Sequence, residues 1–193
     1  MEIFLIPNFQ NIAFYAMTLL WLLEVFLVRI KQQSIDYEER QSFVILALTI
    51  IISIIATIIL TRYDLFVFPT SIRQSIRLIG LASYFLGLTL RYVSRFYLGR
   101  YFSTHVRIQT DHQLIIIGPY RIFRHPLYVG LLLLVIGVPL YIGNWLIFIF
   151  AFVTLSMLLN WRMIHEERML QLKFGAKYTD YLKKSYRFIP FVY

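Results

Sequence analysis

The chain has 193 residues, of which 59% are hydrophobic, 18% aromatic and 15% charged, with a net charge of +9. Soluble domains carry about 25% charged residues, so this balance predicts a membrane protein, and no polar segment is long enough to form a second, soluble domain. There is no cysteine, which excludes disulfides, thiolate metal ligands and Cys nucleophiles.

The opening MEIFLIPNFQN holds an acid and neither Lys nor Arg, unlike the positive start of a secretory signal, so the first apolar run reads as a retained span at about 12–30. A transmembrane helix needs about 20 mostly apolar residues. The run FVILALTIIISIIATIIL, Phe43–Leu60, meets that need without a charge, and its length fits helix better than strand. A third span is set at about 76–97. Only 13 residues, Leu78–Leu90, separate Arg77 from Arg91, but the apolar pattern runs on, so Arg91 is placed facing the bundle. Pro126–Trp161 is uncharged over 36 residues, which suits two crossings, 126–142 and 145–162, turning at Gly143-Asn144 as a tight helical hairpin.

The reading is one all-α integral membrane domain over 1–193, with five transmembrane helices. Six Lys and Arg lie in 91–125 and seven in 162–193. These clusters flank spans, which suits anionic headgroups and cytoplasmic topology rather than nucleic acid. The N-terminus is then outside and the C-terminus cytoplasmic. The loop from Thr61 to Arg77 falls outside, where Arg62, Arg73 and Arg77 against one Asp64 run counter to the positive-inside rule. Glu24 and Arg91 are intramembrane charges, and such charges face the bundle or a wet cavity and pair there.

Two polar clusters share the cytoplasmic side. In GPYRIFRHPLYVG, Gly118–Gly130, Pro126 marks the start of a helix whose positive end suits an anion such as a carboxylate. His125 and Tyr128 are three residues apart, as are Arg121 and Arg124, so each pair shares a helical face. The plainer alternative makes Arg121 and Arg124 interfacial anchors, with Tyr120 and Tyr128 as belt aromatics. The second cluster is NWRMIHEERMLQLKFGAKYTDYLKKSYRFIP, Asn160–Pro190. Arg162 and Glu166 stand four apart and can pair, whereas Glu167 turns about 100° further. The acids suit a cationic group or ribose hydroxyls; the alternative is a charged cap closing the last span. FGAKYTDYL reads as an amphipathic surface helix with Tyr178 and Tyr181 on one side.

GPYRIFRHPLYVG, a hairpin, R-x-x-x-E-E and FGxxYxxYxxxxxRFIP, with LGRYFS (Leu98–Ser103) and DHQL (Asp111–Leu114) before them, resemble the isoprenylcysteine carboxyl methyltransferase family over about half the chain. The wider superfamily includes phospholipid and other small-molecule membrane methyltransferases. The resemblance implies a five-helix membrane enzyme that binds S-adenosylmethionine at the cytoplasmic interface and releases S-adenosylhomocysteine, with its cofactor site in 99–128 and 160–190. It implies that His112 and Leu114 belong to a cofactor loop, with backbone near Leu114 at the adenine. Tyr120, Arg124, His125, Pro126 and Tyr128 would surround the methionine moiety. Glu166 and Glu167 would form an acidic pair holding the cofactor, with Arg162 beside the acceptor. His165 stands where many relatives carry another acid.

Methyl transfer from a sulfonium rests on alignment and water exclusion and needs no metal. A carboxylate acceptor is already ionised, and Arg162 would orient it. An amine, thiol or phenol would need a base, for which His165 or Glu166 is available. The resemblance favours a lipophilic carboxylate as the acceptor, entering sideways from the bilayer, with Arg162 and Glu166 as the catalytic pair. Another lipid acceptor, a membrane sterol or enone reductase, and a non-enzymatic membrane scaffold are the rival readings.

Overall fold

In hydrocarbon every backbone N–H and C=O must find a partner within its own element, and the long uncharged runs of this chain answer as helices. The computed structural model describes residues 9–30, 37–99 and 114–187. In chain order they form α1 (Phe9–Ile30), α2 (Tyr37–Arg62), α3 (Thr70–Leu98), a 3-10 turn (Gly118–Arg121), α4 (Pro126–Ile142), α5 (Trp145–Phe174) and α6 (Ala176–Leu182). Val44–Arg62, Thr70–Leu98 and Trp145–Phe174 are long and apolar enough to cross a membrane, and α4 is a shorter apolar helix. Their outward faces are greasy, with Ile55 and Ile58 of α2, Phe85 of α3 and Phe152 of α5 all exposed.

Four helices outrun the spans expected from sequence, α1 and α2 chiefly at their starts, at Phe9 and Tyr37. α3 starts at Thr70 rather than near 76, directly after Pro69. α5 continues past 162 to Phe174, because nothing in RMIHEERMLQLKF breaks a helix until Gly175, whose φ of 51° ends it. The hairpin turn falls where expected. Gly143 is left-handed at φ 100°, and the Asn144 side chain caps α5 by accepting from Ile147 N at 3.1 Å. The same side chain donates to Leu65 O at 2.9 Å, which ties the α2–α3 connection to the turn.

α3 and α4 lie antiparallel with their backbones nearly touching. A Cβ on Gly87 would sit 2.7 Å from Gly130 O and Leu134 N, and one on Gly137 would sit 3.0 Å from Gly80 O. Lipid supplies no hydrophobic drive between helices, so close approach through small residues is what holds such a pair. Ser83 bridges the same seam by donating to Leu133 O at 2.9 Å. On its other side α4 buries Leu134 and Val135 in a core that includes Ala151, Leu155, Leu159 and Met163 of α5.

Polar contacts set the position of α1. Glu24, whose side chain is fully buried, accepts from Arg91 of α3 at both carboxylate oxygens, from Nη2 at 2.8 Å and Nε at 3.0 Å. The pairing of the two intramembrane charges is thus realised. At the opposite end Asn11 of α1 accepts from Arg77 of α3 and, at 2.7 Å, from the Tyr141 hydroxyl of α4. Arg77 also donates to the Tyr141 hydroxyl at 2.8 Å, and its guanidinium lies 4.6 Å from that ring. Arg73 donates to Phe68 O at 3.0 and 3.2 Å. Two of the arginines that run against the positive-inside rule are therefore taken up by neutral protein groups, Arg77 deeply buried and Arg73 partly so.

Gly87→Leu is expected to separate α3 from α4 and to destabilise the protein by about 1–3 kcal/mol. Ala82→Leu, on the exposed face of the same helix, should leave the thermal midpoint in detergent unchanged. Equal midpoints for Gly87→Leu and wild type would disprove the seam.

Candidate active site

The two polar clusters meet because the end of the chain folds back on the segment before α4. Tyr186 N donates to Ile122 O at 2.9 Å and Arg124 N to Tyr186 O at 2.7 Å, so Phe123 and Tyr186 form a parallel bridge. The Tyr181 hydroxyl donates to Tyr120 O at 2.5 Å, and Arg124 Nη1 to Leu182 O at 3.3 Å. α6 is thus a single short helix with Tyr178 buried and Tyr181 half-buried, both turned into the protein. The expected surface helix has its aromatic side packed on its own chain.

α4 begins at Pro126 as expected, with His125 in the N-cap position and only 5% exposed. The His125 ring stacks on Tyr128 at 5.6 Å, so the three-residue spacing does bring the two together. One ring nitrogen faces Glu167 at 3.3 Å and the other faces Glu166 at 3.6 Å. The extension of α5 beyond the apolar run is what delivers both carboxylates to this point.

The two acids are unequal. Glu167 is the more buried, and it faces Arg124 Nε at 3.1 Å, His125 and Arg187, whose Nε donates at 3.1 Å while Nη2 bonds the second oxygen. Glu166 keeps a side chain 31% exposed. It shares the Tyr128 hydroxyl with Arg162, which is buried one helical turn earlier on the same face. Arg162, Glu166, Glu167, Tyr120, Arg124, His125, Pro126 and Tyr128 are therefore drawn to one region.

Other candidates stand apart. His165 is exposed, its Nδ1 donates to Trp161 O at 2.8 Å, and its ring lies against Trp161. Arg121 is exposed. Leu114 lies at the edge of the described segment, and His112, with the rest of the proposed cofactor loop, lies outside the described residues.

Sequence reasoning assigned no role to Arg187 or Tyr178. Arg187 stands in the quoted RFIP element, and an arginine after a tyrosine-spaced helix was the available signal. Buried Tyr120 and Tyr178 hydroxyls have no hydrogen-bond partner among the described residues. Burial foremost, then the Glu166 carboxylate, raises the Tyr120 phenol far above its ordinary value; burial and Glu167 do the same to Tyr178. Burial pushes Tyr181 up to about 12. All three keep their protons at neutral pH and remain hydrogen-bond donors. The region thus combines guanidinium groups, a helix amino end, a half-exposed carboxylate and two unspent hydroxyl donors.

Residues 78–172 match the model of the isoprenylcysteine carboxyl methyltransferase family. A probable protein-S-isoprenylcysteine O-methyltransferase of Oryza sativa subsp. indica is 31% identical over 116 residues, covering 59% of this chain and 61% of the rice protein. The protein-S-isoprenylcysteine O-methyltransferase of Tribolium castaneum is 34% identical over 116 residues, 59% of this chain and 41% of that protein. The match thus spans about three fifths of the rice relative and less of the insect one. A solved structure of the eukaryotic intramembrane Ras methyltransferase, an isoprenylcysteine carboxyl methyltransferase, superposes with a TM-score of 0.69 at 26% identity, over 98% of this chain and 70% of that one. With the apolar helices, this likeness makes the chain a multi-pass integral membrane protein.

Glu167→Gln should release the C-terminal segment, since removing one member of a buried ionic cluster costs about 3–5 kcal/mol. Amide exchange at Arg124 and Tyr186 should accelerate in this variant and stay slow in Glu166→Gln. Identical protection in both variants would show that Glu167 does not hold the fold-back.

Proposed function

We propose, from the family model matched over residues 78–172 and the relatives this chain resembles, that it is a membrane enzyme of the isoprenylcysteine carboxyl methyltransferase family, methylating the carboxylate of a lipophilic, isoprenylcysteine-type acceptor. The observation that carries this reading is His125, held at the amino end of α4 between two carboxylates returned by α5, beside two buried hydroxyls without partners among the described residues.

The residues present fit S-adenosylmethionine. Its carboxylate suits Arg124 and the amino end of α4, its cationic groups or ribose diol suit Glu166, and its remaining acceptors suit the Tyr120 and Tyr178 hydroxyls. When bound, it supplies a methyl group already activated by a sulfonium, and S-adenosylhomocysteine is the product. In this reading His125, Pro126 and Tyr128 shape the wall around the methionine part, with Leu114 and His112 at the adenine end. Glu167 is spent mainly on Arg124, His125 and Arg187 and so holds the wall in place.

Arg162 is the residue that orients the acceptor. A carboxylate needs no proton removed, so its guanidinium acts by alignment and by steadying the anion as water is excluded. Glu166 completes the catalytic pair from the same helical face. His165, bonded to its own helix, takes no part in proton transfer.

Five membrane crossings are inferred for the single domain. α1 and α3 run parallel, joined at Asn11–Arg77 and Glu24–Arg91, and α4 runs against both. The end of α2 meets the start of α5, where the Phe66 and Trp145 rings lie 5.6 Å apart. Successive helices thus alternate in direction, which supports termini on opposite sides; with the basic clusters of 91–125 and 162–193 facing the cytoplasm, the N-terminus is outside, the C-terminus cytoplasmic and the acceptor in reach from the bilayer.

Calorimetric titration of the purified protein with S-adenosylhomocysteine tests the reading. Binding is expected, and none at high micromolar concentration would end the proposal. His125→Ala and Glu166→Ala should each weaken it about 10–100-fold, the worth of a lost charge-assisted contact. Arg162→Lys should lower kcat/KM for a farnesylcysteine acceptor while leaving S-adenosylhomocysteine affinity unchanged, because an ammonium lacks the planar fork.

A further inference from the structure

The inward residues of the site alternate with outward cations. Tyr120 is buried, and Arg121 beside it is exposed. Glu167 is buried and Arg168 is exposed; Tyr178 is buried and Lys177 is exposed. Leu182, whose carbonyl holds Arg124, is followed by exposed Lys183 and Lys184, and Lys173 is exposed on the last turn of α5. Against these six exposed cations, the acids between residues 114 and 187 are three, Glu166, Glu167 and Asp180. Asp180, the exposed acid there, bonds Lys183 at 3.2 Å with both side chains about 70% exposed, a pair worth little in water. Glu166 and Glu167 are turned inward to His125.

Positive-inside topology accounts for Lys and Arg on this side. It does not require that they stand next to site residues on all three segments that build the site. We propose that this rim selects acceptors by charge, favouring those whose polar part upstream of the lipidated carboxylate is acidic and disfavouring those with a basic run. The inference rests on the methyltransferase reading and names the acceptor class for it. The physical basis is steering: a one-signed rim at a low-dielectric mouth raises the local concentration of an oppositely charged partner by about 10-fold or more at low salt. The Debye length falls to about 3 Å at 1 M salt, so the preference must vanish there.

The full chain in phosphatidylcholine nanodiscs would be given three equal-length peptides ending in S-farnesylcysteine, with four Glu, four Ser or four Lys upstream. Expected is kcat/KM in the order Glu, Ser, Lys, about tenfold or more between the extremes at 20 mM salt, lying in KM and collapsing at 1 M NaCl. Replacing Arg168, Lys173, Lys177 and Lys184 by Glu should invert the order while the Ser peptide is methylated as before. Adding anionic lipid should narrow the range, as headgroups occupy the same cations. Equal kcat/KM for the three peptides, or an order indifferent to salt and to the charge reversal, overturns the rim. Anisotropy with fluorescent versions of the peptides reads the same order without turnover. Ordered binding without methyl transfer would reject the reaction and keep the rim; unordered binding would reject the rim whatever the turnover.

Discussion

Between α3 and α4 the glycines at 80 and 137, and again at 87 and 130, bring backbone against backbone, because a bilayer offers helices no hydrophobic reason to associate and leaves close packing to do it. Everything near the site inherits that contact. Gly130 ends the GPYRIFRHPLYVG element, and its missing side chain is where the stem of Arg91 passes, with Arg91 Cγ 2.7 Å from the position a Cβ would take. Arg91 in turn reaches Leu127 O at 3.4 Å, in the first turn of α4, and clamps Glu24 of α1. One sterically demanded glycine therefore admits the charge that links three helices at the level of His125.

The two buried arginines of α3 meet the cost of their charge in different ways. Arg91 has a carboxylate, delivered from α1, a helix outside the segment that matches the family. Arg77 has an amide oxygen, a phenol and an aromatic face, each neutral, with Phe14 stacked on the far side of the Tyr141 ring at 4.2 Å. A guanidinium tolerates such company better than an ammonium would, being weakly hydrated and planar. Arg77, and Arg73 with it, are thus accommodated by packing in the first turns of α3.

The hairpin was readable from sequence because charge and composition spoke with one voice: a long uncharged run with Gly-Asn at its middle has few other foldings. The start of α4 at Pro126 was readable for a similar reason, since proline at a first turn is a local preference. What resisted reading was the extent of α5, where hydrophobicity stops at Trp161 but helix propensity does not, and the span estimate followed the former. The inequality of Glu166 and Glu167 was hidden as well. Helical spacing puts Glu166 on the face of Arg162, as observed, but it takes Arg124 and His125 from before α4 and Arg187 from the fold-back to draw Glu167 inward. Tyr178 and Tyr181 shared the amphipathic pattern of a membrane-surface helix, and periodicity alone cannot say whether an apolar stripe meets lipid or protein.

The charge balance around the fold-back has a consequence for what it binds. Among the described residues Arg124, Arg162 and Arg187 gather with His125 around two carboxylates, so even a neutral imidazole leaves these groups with one positive charge in excess. Buried excess charge is costly. S-adenosylmethionine, with one carboxylate, one ammonium and one sulfonium, would add a further positive charge, and an acceptor carboxylate would offset that added charge. In the proposed reaction transfer would turn the sulfonium into a thioether and the carboxylate into an ester, so the two opposite charges vanish together and with them the attraction between cofactor and acceptor, which favours release of product over its retention.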